Sequence, residues 1–175
     1  MKLTSRQQLY LLILVLAILA ALFIDWPELG PAVFESPYAT SEDGEWVLVT
    51  RIIDGDTIEL EDGRKVRYIG IDTPETKHPS KGVEAYGYEA SDANRRMVLG
   101  RMVLLVKDVS ETDKYDRLLR YVFLQDGTFV NLKLVEDGYA RVATYPPDVK
   151  FTDLFLEAER KAREEGRGLW GVEGG

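Results

Sequence analysis

Cysteine is absent from the sequence, and histidine occurs once, at position 78. The first absence excludes disulfides, a thiol nucleophile and an acylated N-terminal cysteine. Together the two leave little from which to build a zinc site, which draws on Cys and His. Basic excess is also lacking. The 175 residues carry 22 Lys and Arg against 30 Asp and Glu, a net charge of −8, and the pI is near 4.8. A polyanion cannot be gripped by the global field of such a chain. Any attraction for phosphate has to be local, from placed arginines and a metal ion. From Trp46 onward the balance is 20 basic against 24 acidic residues, or −4, so much of the excess acidity precedes that point. No internal repeat is present.

What is there begins with an apolar run. Leu9 to Ile24 holds 16 residues without a charge, preceded by Lys2 and Arg6 and followed at once by Asp25 and Trp26. The run is slightly longer than a usual signal-peptide core and slightly shorter than the roughly 20 residues that span a bilayer. No A-x-A cleavage site follows. Residues 1–25 are therefore expected to form one hydrophobic helix, an uncleaved anchor or else a cleaved signal. The flanking charges place the short N-terminus in the cytoplasm and the rest outside. Asp25 to Glu45, with Pro27, Gly30, Pro31, Pro37 and Gly44, reads as a linker.

The chain from there is organised around Ile53 to Glu75. IDGDTIEL (Ile53–Leu60) turns at Asp62-Gly63 and returns as KVRYIGIDTPE (Lys65–Glu75). Alternating apolar residues at Ile58 and Leu60, then Ile69 and Ile71, predict half-buried strands, and Asp-Gly is a hairpin turn signal. The hairpin brings together Asp56 and Asp72, distant in sequence. Converging carboxylates repel unless neutralised. Without Cys and with one His, a hard cation on oxygen ligands fits, Ca²⁺ or Mg²⁺.

Further on, the patterns predict a first strand over Trp46–Ile53 and a loop over Thr73–Gly82. Helices are predicted over Tyr88–Leu99, Asn131–Asp137 and Thr152–Glu165. Strands are predicted over Met102–Lys107 and Leu118–Leu124, with a brief extended piece at Ala140–Ala143. Short strands with interposed helices suggest a small β-barrel carrying helices, an α+β fold that is mainly β.

Several fragments in one order carry a resemblance. DGDT (Asp54–Thr57) comes first, then R-x-x-x-x-D-T-P-E (Arg67–Glu75) and TPETKHP (Thr73–Pro79). KGVEAYG (Lys81–Gly87), YEAS (Tyr88–Ser91), TDKYDR (Thr112–Arg117) and GRGLW (Gly166–Trp170) follow. Over about residues 46–172 the chain resembles the staphylococcal-type nuclease (thermonuclease) family. The resemblance implies an OB-type five-stranded barrel with about three helices, a fold often used to hold single strands. It also implies a Ca²⁺-dependent phosphodiesterase acting on DNA, with RNA as a second substrate, leaving 3′-phosphate ends.

Hydrolysing a phosphodiester requires an activated water, compensation of charge building on the phosphoryl oxygens, and a stabilised leaving oxygen. By resemblance, Asp56 and Asp72 supply metal carboxylates, and the Thr73 carbonyl a further ligand. Glu75 orients or deprotonates the water. Arg67 and Arg117 are the phosphate clamps, since guanidinium matches phosphate oxygens and stays charged. Lys114 and Tyr115 resemble contacts to a terminal phosphate and nucleotide, Lys81 joins the same basic rim, and Tyr145 is the stacking aromatic. His78 reads as a loop residue.

Two departures from the family pattern stand out. Thr144-Tyr145-Pro146-Pro147 occupies the place of a Tyr-x-Tyr pair, leaving one aromatic for stacking. Asp116 replaces a glycine, putting a carboxylate beside Arg117. The sequence thus points to a monomeric nuclease, tethered to the cell membrane or secreted, taking single-stranded or frayed substrates. The alternatives are a non-catalytic nucleic-acid-binding module on the same barrel and an anchored protein-interaction domain.

Overall fold

Seven strands and four helices make up the body of the computed structural model, which describes residues 34–76 and 86–172, together with Arg6. The chain divides into Met1–Ala32 and Val33–Gly175, and the account below concerns the second unit. The apolar run Leu9–Ile24 lies outside the described residues. Among the described residues no helix is long and apolar enough to cross a membrane.

The strands are β1 (Gly44–Asp54), β2 (Thr57–Leu60), β3 (Lys65–Tyr68), β4 (Ile71–Asp72), β5 (Met102–Val106), β6 (Leu118–Leu124) and β7 (Arg141–Val142). Five of them close a barrel in the order β1-β2-β3-β6-β5, and β4 pairs with β7 in a separate two-stranded sheet. The barrel is mixed: β3 and β6 run parallel, with Arg67 opposite Leu119, and the other neighbours are antiparallel. This is the OB-type five-stranded barrel expected.

The hairpin at Asp62-Gly63 forms as its sequence predicts. Gly63 takes the left-handed conformation at φ 85°, which glycine adopts without steric penalty, and its N–H returns to the Leu60 carbonyl at 3.0 Å. Four helices follow the strand pattern: α1 (Gly87–Val98), α2 (Val130–Glu136), α3 (Thr152–Glu164) and the short α4 (Leu169–Val172). The first three match the helices expected, within a residue or two at each end. The last corresponds to the GRGLW fragment, for which no helix was expected.

The core is the barrel interior plus one layer between barrel and helices. Val49, Ile58, Val66, Val103, Leu104 and Val122 are completely enclosed. Consecutive residues of β5 are buried because its inner face meets the barrel core and its outer face is also covered. An aromatic cluster joins the helices to β6: the Phe123 and Phe129 rings stack at 4.4 Å, and Tyr121 meets Phe151 edge-on at 4.7 Å.

The second half of the expected linker, from Phe34, lies on this cluster. Phe34 packs against Trp46 at 5.5 Å and Tyr38 against Phe129 at 5.6 Å, and Ala39 is buried. Its prolines and glycine suggested freedom, but its aromatics bury apolar surface.

Asn131 ties the fold together from α2. It is fully enclosed. Its Nδ2 donates to the Ile69 carbonyl at 2.9 Å, and its Oδ1 accepts the Val122 N–H at 2.9 Å. The link from β3 to β4 is thereby fastened to β6. Asn131→Ala leaves both backbone groups buried and unpaired, so we expect a loss of about 2–4 kcal/mol in stability, read as a lower denaturation midpoint in urea.

Candidate active site

Asp56 sits in the turn between β1 and β2 and is buried. A carboxylate taken out of water needs partners on both oxygens. Oδ1 accepts from the Thr57 hydroxyl at 3.0 Å. Oδ2 accepts from the Thr73 N–H at 2.8 Å and the Thr73 hydroxyl at 3.1 Å. It also pairs with Arg67 Nη1 at 3.0 Å. The β2–β3 register, Thr57 opposite Arg67, produces this meeting.

Arg67 reaches further. Nη1 donates to the carbonyls of Tyr68 at 3.1 Å and Ile71 at 2.8 Å, and Nη2 to Asp72 Oδ1 at 2.7 Å. One largely buried guanidinium therefore joins Asp56 to Asp72. Most of its hydrogens serve the protein; Nε and the second Nη2 hydrogen lie outside these bonds.

Two small features let the segments close. A Cβ on Gly55 would lie 2.6 Å from the Thr73 hydroxyl and 3.0 Å from Ala90 Cβ of α1, so glycine alone permits this approach. Asn94 of α1, also enclosed, donates to the Asp54 carbonyl at 3.2 Å and accepts the Tyr68 hydroxyl at 2.9 Å.

Glu75 completes the acidic group. Its carboxyl is pushed up to about 7 by partial burial, by a hydrogen bond with Asp54, and by the charges of Asp54, Asp56 and Asp72. A divalent cation among these groups would reverse that shift. Among the described residues no three Asp, Glu, His or Cys side chains converge as a complete metal cage. The expected set asks for less: two carboxylates and the Thr73 carbonyl, with water filling the remaining positions. A hard cation accepts such oxygen sets, and the accumulated negative charge favours one. The residues present fit a divalent ion.

A second group of candidate residues is carried by the loop before β6. Arg117 is held by Asp113, whose Oδ2 accepts from Nε at 2.7 Å and from Nη2 at 2.6 Å. Asp113 Oδ1 accepts the N–H groups of Tyr115 at 2.9 Å and Arg117 at 3.0 Å, and these bonds hold its carboxyl below the usual range despite partial burial. The Nη1 group of Arg117 lies outside this pairing. Tyr115 lies under two cations, with Lys114 Nζ 5.0 Å and the Arg117 guanidinium 5.5 Å from its ring centre. Asp116 adopts φ 63° and is exposed. Its place demands the left-handed conformation, which explains a glycine there, and Asp tolerates it. The carboxylate on Arg117 is thus Asp113, not Asp116.

Arg67, Tyr68, Ile71, Lys114, Tyr115, Arg117, Leu119 and Tyr145 line one cleft of about 440 Å³. Arg117 comes just before β6, whose Leu119 faces Arg67 across the parallel ladder, and both cations reach this cleft; Asp56, Asp72, Thr73 and Glu75 are not among the residues that line it. Tyr115 and Tyr145 are each about 70% exposed. Asp148, also in the cleft, accepts the N–H groups of Val109 at 2.9 Å and Ser110 at 2.8 Å, fastening the Tyr145 turn to the Arg117 loop. Lys81 and His78 lie outside the described residues.

Residues 65–172 match the protein family described as staphylococcal nuclease homologue. The chain belongs to this family. It is 42% identical over 135 residues to the thermonuclease of Staphylococcus intermedius, covering 75% of this chain and 80% of that protein. To the thermonuclease of Staphylococcus hyicus it is 38% identical over 163 residues, covering 91% and 95%. To endonuclease YncB of Bacillus subtilis (strain 168) it is 41% identical over 133 residues, covering 73% and 63%. The protein is a nuclease, a phosphodiester hydrolase.

Sequence reasoning about this nuclease did not assign Asn94, Asp113 or Asp148. Asp113 carried a usable signal, an acid four residues before Arg117 inside TDKYDR. The other two carried none, being single polar residues whose partners are distant backbone groups. Gly55→Ala forces Thr73 and α1 away from Asp56. We expect destabilisation of about 1–3 kcal/mol, measured by chemical denaturation, together with loss of cleavage under conditions where the variant remains folded.

Proposed function

We propose that this nuclease is Ca²⁺-dependent and hydrolyses single-stranded or frayed DNA, and RNA, outside the cytoplasm. The observation supporting the site is the Arg67 guanidinium, which joins buried Asp56 to Asp72 and lines the same cleft as Arg117. Membership of the family implies a metal requirement. Asp56, Asp72 and the Thr73 carbonyl are the groups that would hold the ion. When bound, it supplies Lewis acidity toward a phosphate oxygen.

The protein's own groups do the rest. Glu75 orients a water and takes its proton as the water oxygen attacks phosphorus. The P–O5′ bond breaks, the departing oxygen is protonated from water, and the products end in a 3′-phosphate and a 5′-hydroxyl. Arg117, with Nη1 outside its pair with Asp113, and Arg67 meet the charge that builds on the phosphoryl oxygens. Lys114 and Lys81 attract a terminal phosphate, and Tyr115 and Tyr145 offer surfaces for stacking bases, worth about 1–3 kcal/mol per base. An acidic chain has little charge with which to hold a stiff duplex, which supports the single-stranded preference.

We assign residues 1–25 as a membrane anchor or signal, and the following segment as the connection to a monomeric domain. Lys2 and Arg6 ahead of an uncharged run support export of the domain, and extracellular Ca²⁺ saturates even a weak oxygen site.

Three measurements test this reading. Labelled single-stranded DNA should be cut with Ca²⁺ and left intact with chelator; cleavage indifferent to chelator would refute it. Arg117→Ala should keep its circular dichroism spectrum and lose cleavage by on the order of 10²–10³-fold, the scale of one transition-state donor. Glu75→Gln should lose turnover while retaining Ca²⁺ binding by calorimetry.

A further inference from the structure

Arg120 is a buried cation with no role in the chemistry above. It lies on β6, opposite Tyr68, with its side chain 8% exposed. For stability alone an apolar residue would serve a barrel wall as well or better, because removing a charge from water is costly. Its contacts explain its presence. Nη1 donates to the Leu119 carbonyl at 2.8 Å and the Glu111 carbonyl at 3.1 Å, and Nη2 pairs with the Glu111 carboxylate. Lys107 Nζ reaches the other Glu111 oxygen at 3.3 Å, and the Leu119 N–H donates to the Glu111 carbonyl at 3.0 Å.

Glu111 is thus gripped through main chain and side chain alike, and Arg120 is the first cause of its carboxyl being held low. Glu111 is also the root of the loop carrying Lys114, Tyr115 and Arg117. Immediately after it, Thr112 bridges to Leu118 and the Asp113 N–H donates to the Arg117 carbonyl at 3.0 Å. Glu111 therefore adjoins the bridge and the hydrogen bond that close the loop around Arg117.

We infer that Arg120 is a positioning residue for the nuclease reaction: through Glu111 it sets the 112–117 loop so that Arg117 presents its guanidinium to the phosphate. This rests on Arg117 being the clamp proposed above. Small displacements of such a group are expensive, on the order of 10²-fold in rate for about 1 Å.

The test is a double-mutant cycle on the full chain, read as kcat/KM on single-stranded DNA with Ca²⁺. Arg120→Gln should lower the rate on the order of 10²-fold without moving the Ca²⁺ concentration for half-maximal rate. In an Arg117→Ala background it should change the rate about twofold or less, because the interaction it serves is already gone. Glu111→Gln, on the exposed partner, should show the same pattern with a smaller loss, and it carries the comparison if Arg120→Gln does not fold. Equal losses in both backgrounds would overturn the inference, as would no loss in either while Arg117→Ala alone is severe. An Arg117→Ala enzyme of undiminished rate would instead overturn the clamp assignment, and this inference with it.

Discussion

The pairing of Arg67 with two carboxylates is the constraint on which the site depends. Asp56 cannot be buried as an ion without a partner, and Asp72 would be repelled from it without a cation between them. Arg67 answers both needs while bonding the Tyr68 and Ile71 carbonyls, so the geometry of the β3–β4 link and the spacing of the acids come from one side chain. Glu75 is raised by partial burial, by its hydrogen bond with Asp54 and by the charges of Asp54, Asp56 and Asp72. Negative charge thus accumulates here even though Arg67 offsets part of that of Asp56 and Asp72.

The acidic group and the basic loop are built differently. On the acid side the backbone is locked by enclosed groups: Asn94 holds Asp54, and Asn131 holds Ile69. On the basic side the loop is exposed, and carboxylates organise it. Asp113 folds the tip around Arg117, and Asp148 anchors the start at Val109 and Ser110. Net acidity is therefore compatible with a phosphate site. Several of the acids that make the chain negative are spent on orienting the few cations that face the cleft.

Much of this was legible in the sequence for physical reasons. The hairpin was, because Gly63 takes a left-handed turn and Ile58 and Leu60 alternate onto its buried face; Ile71, read as part of the same strand, pairs instead with β7. The two longer helices were, because Ala90, Ala93 and Val98, then Phe155, Ala158 and Ala162, repeat at helical spacing. The order of short motifs also singled out Asp56, Arg67 and Asp72, which ion pairs join, and Arg117, which lines a cleft with Arg67. What stayed hidden depends on tertiary contact. Asn94 and Asn131 look like ordinary helix residues until their distant carbonyls are known. Residues 34–43 look like linker because Pro37 and polar residues set their local signal, whereas Phe34 and Tyr38 act only against a barrel that the rest of the chain must first form. The pairing of Asp113 with Arg117 needed only a count of four along the chain.

The parallel contact of β3 with β6 has one more implication. Because Arg67 faces Leu119 across a ladder, the gap between the two guanidinium-bearing segments is a property of interstrand spacing, about 4.8 Å, and not of chain length. Between them in sequence the chain makes β4, α1 and then β5, which returns to the barrel between β6 and β1. A slip of one residue in the ladder would move the anchored end of the Arg117 loop relative to Arg67.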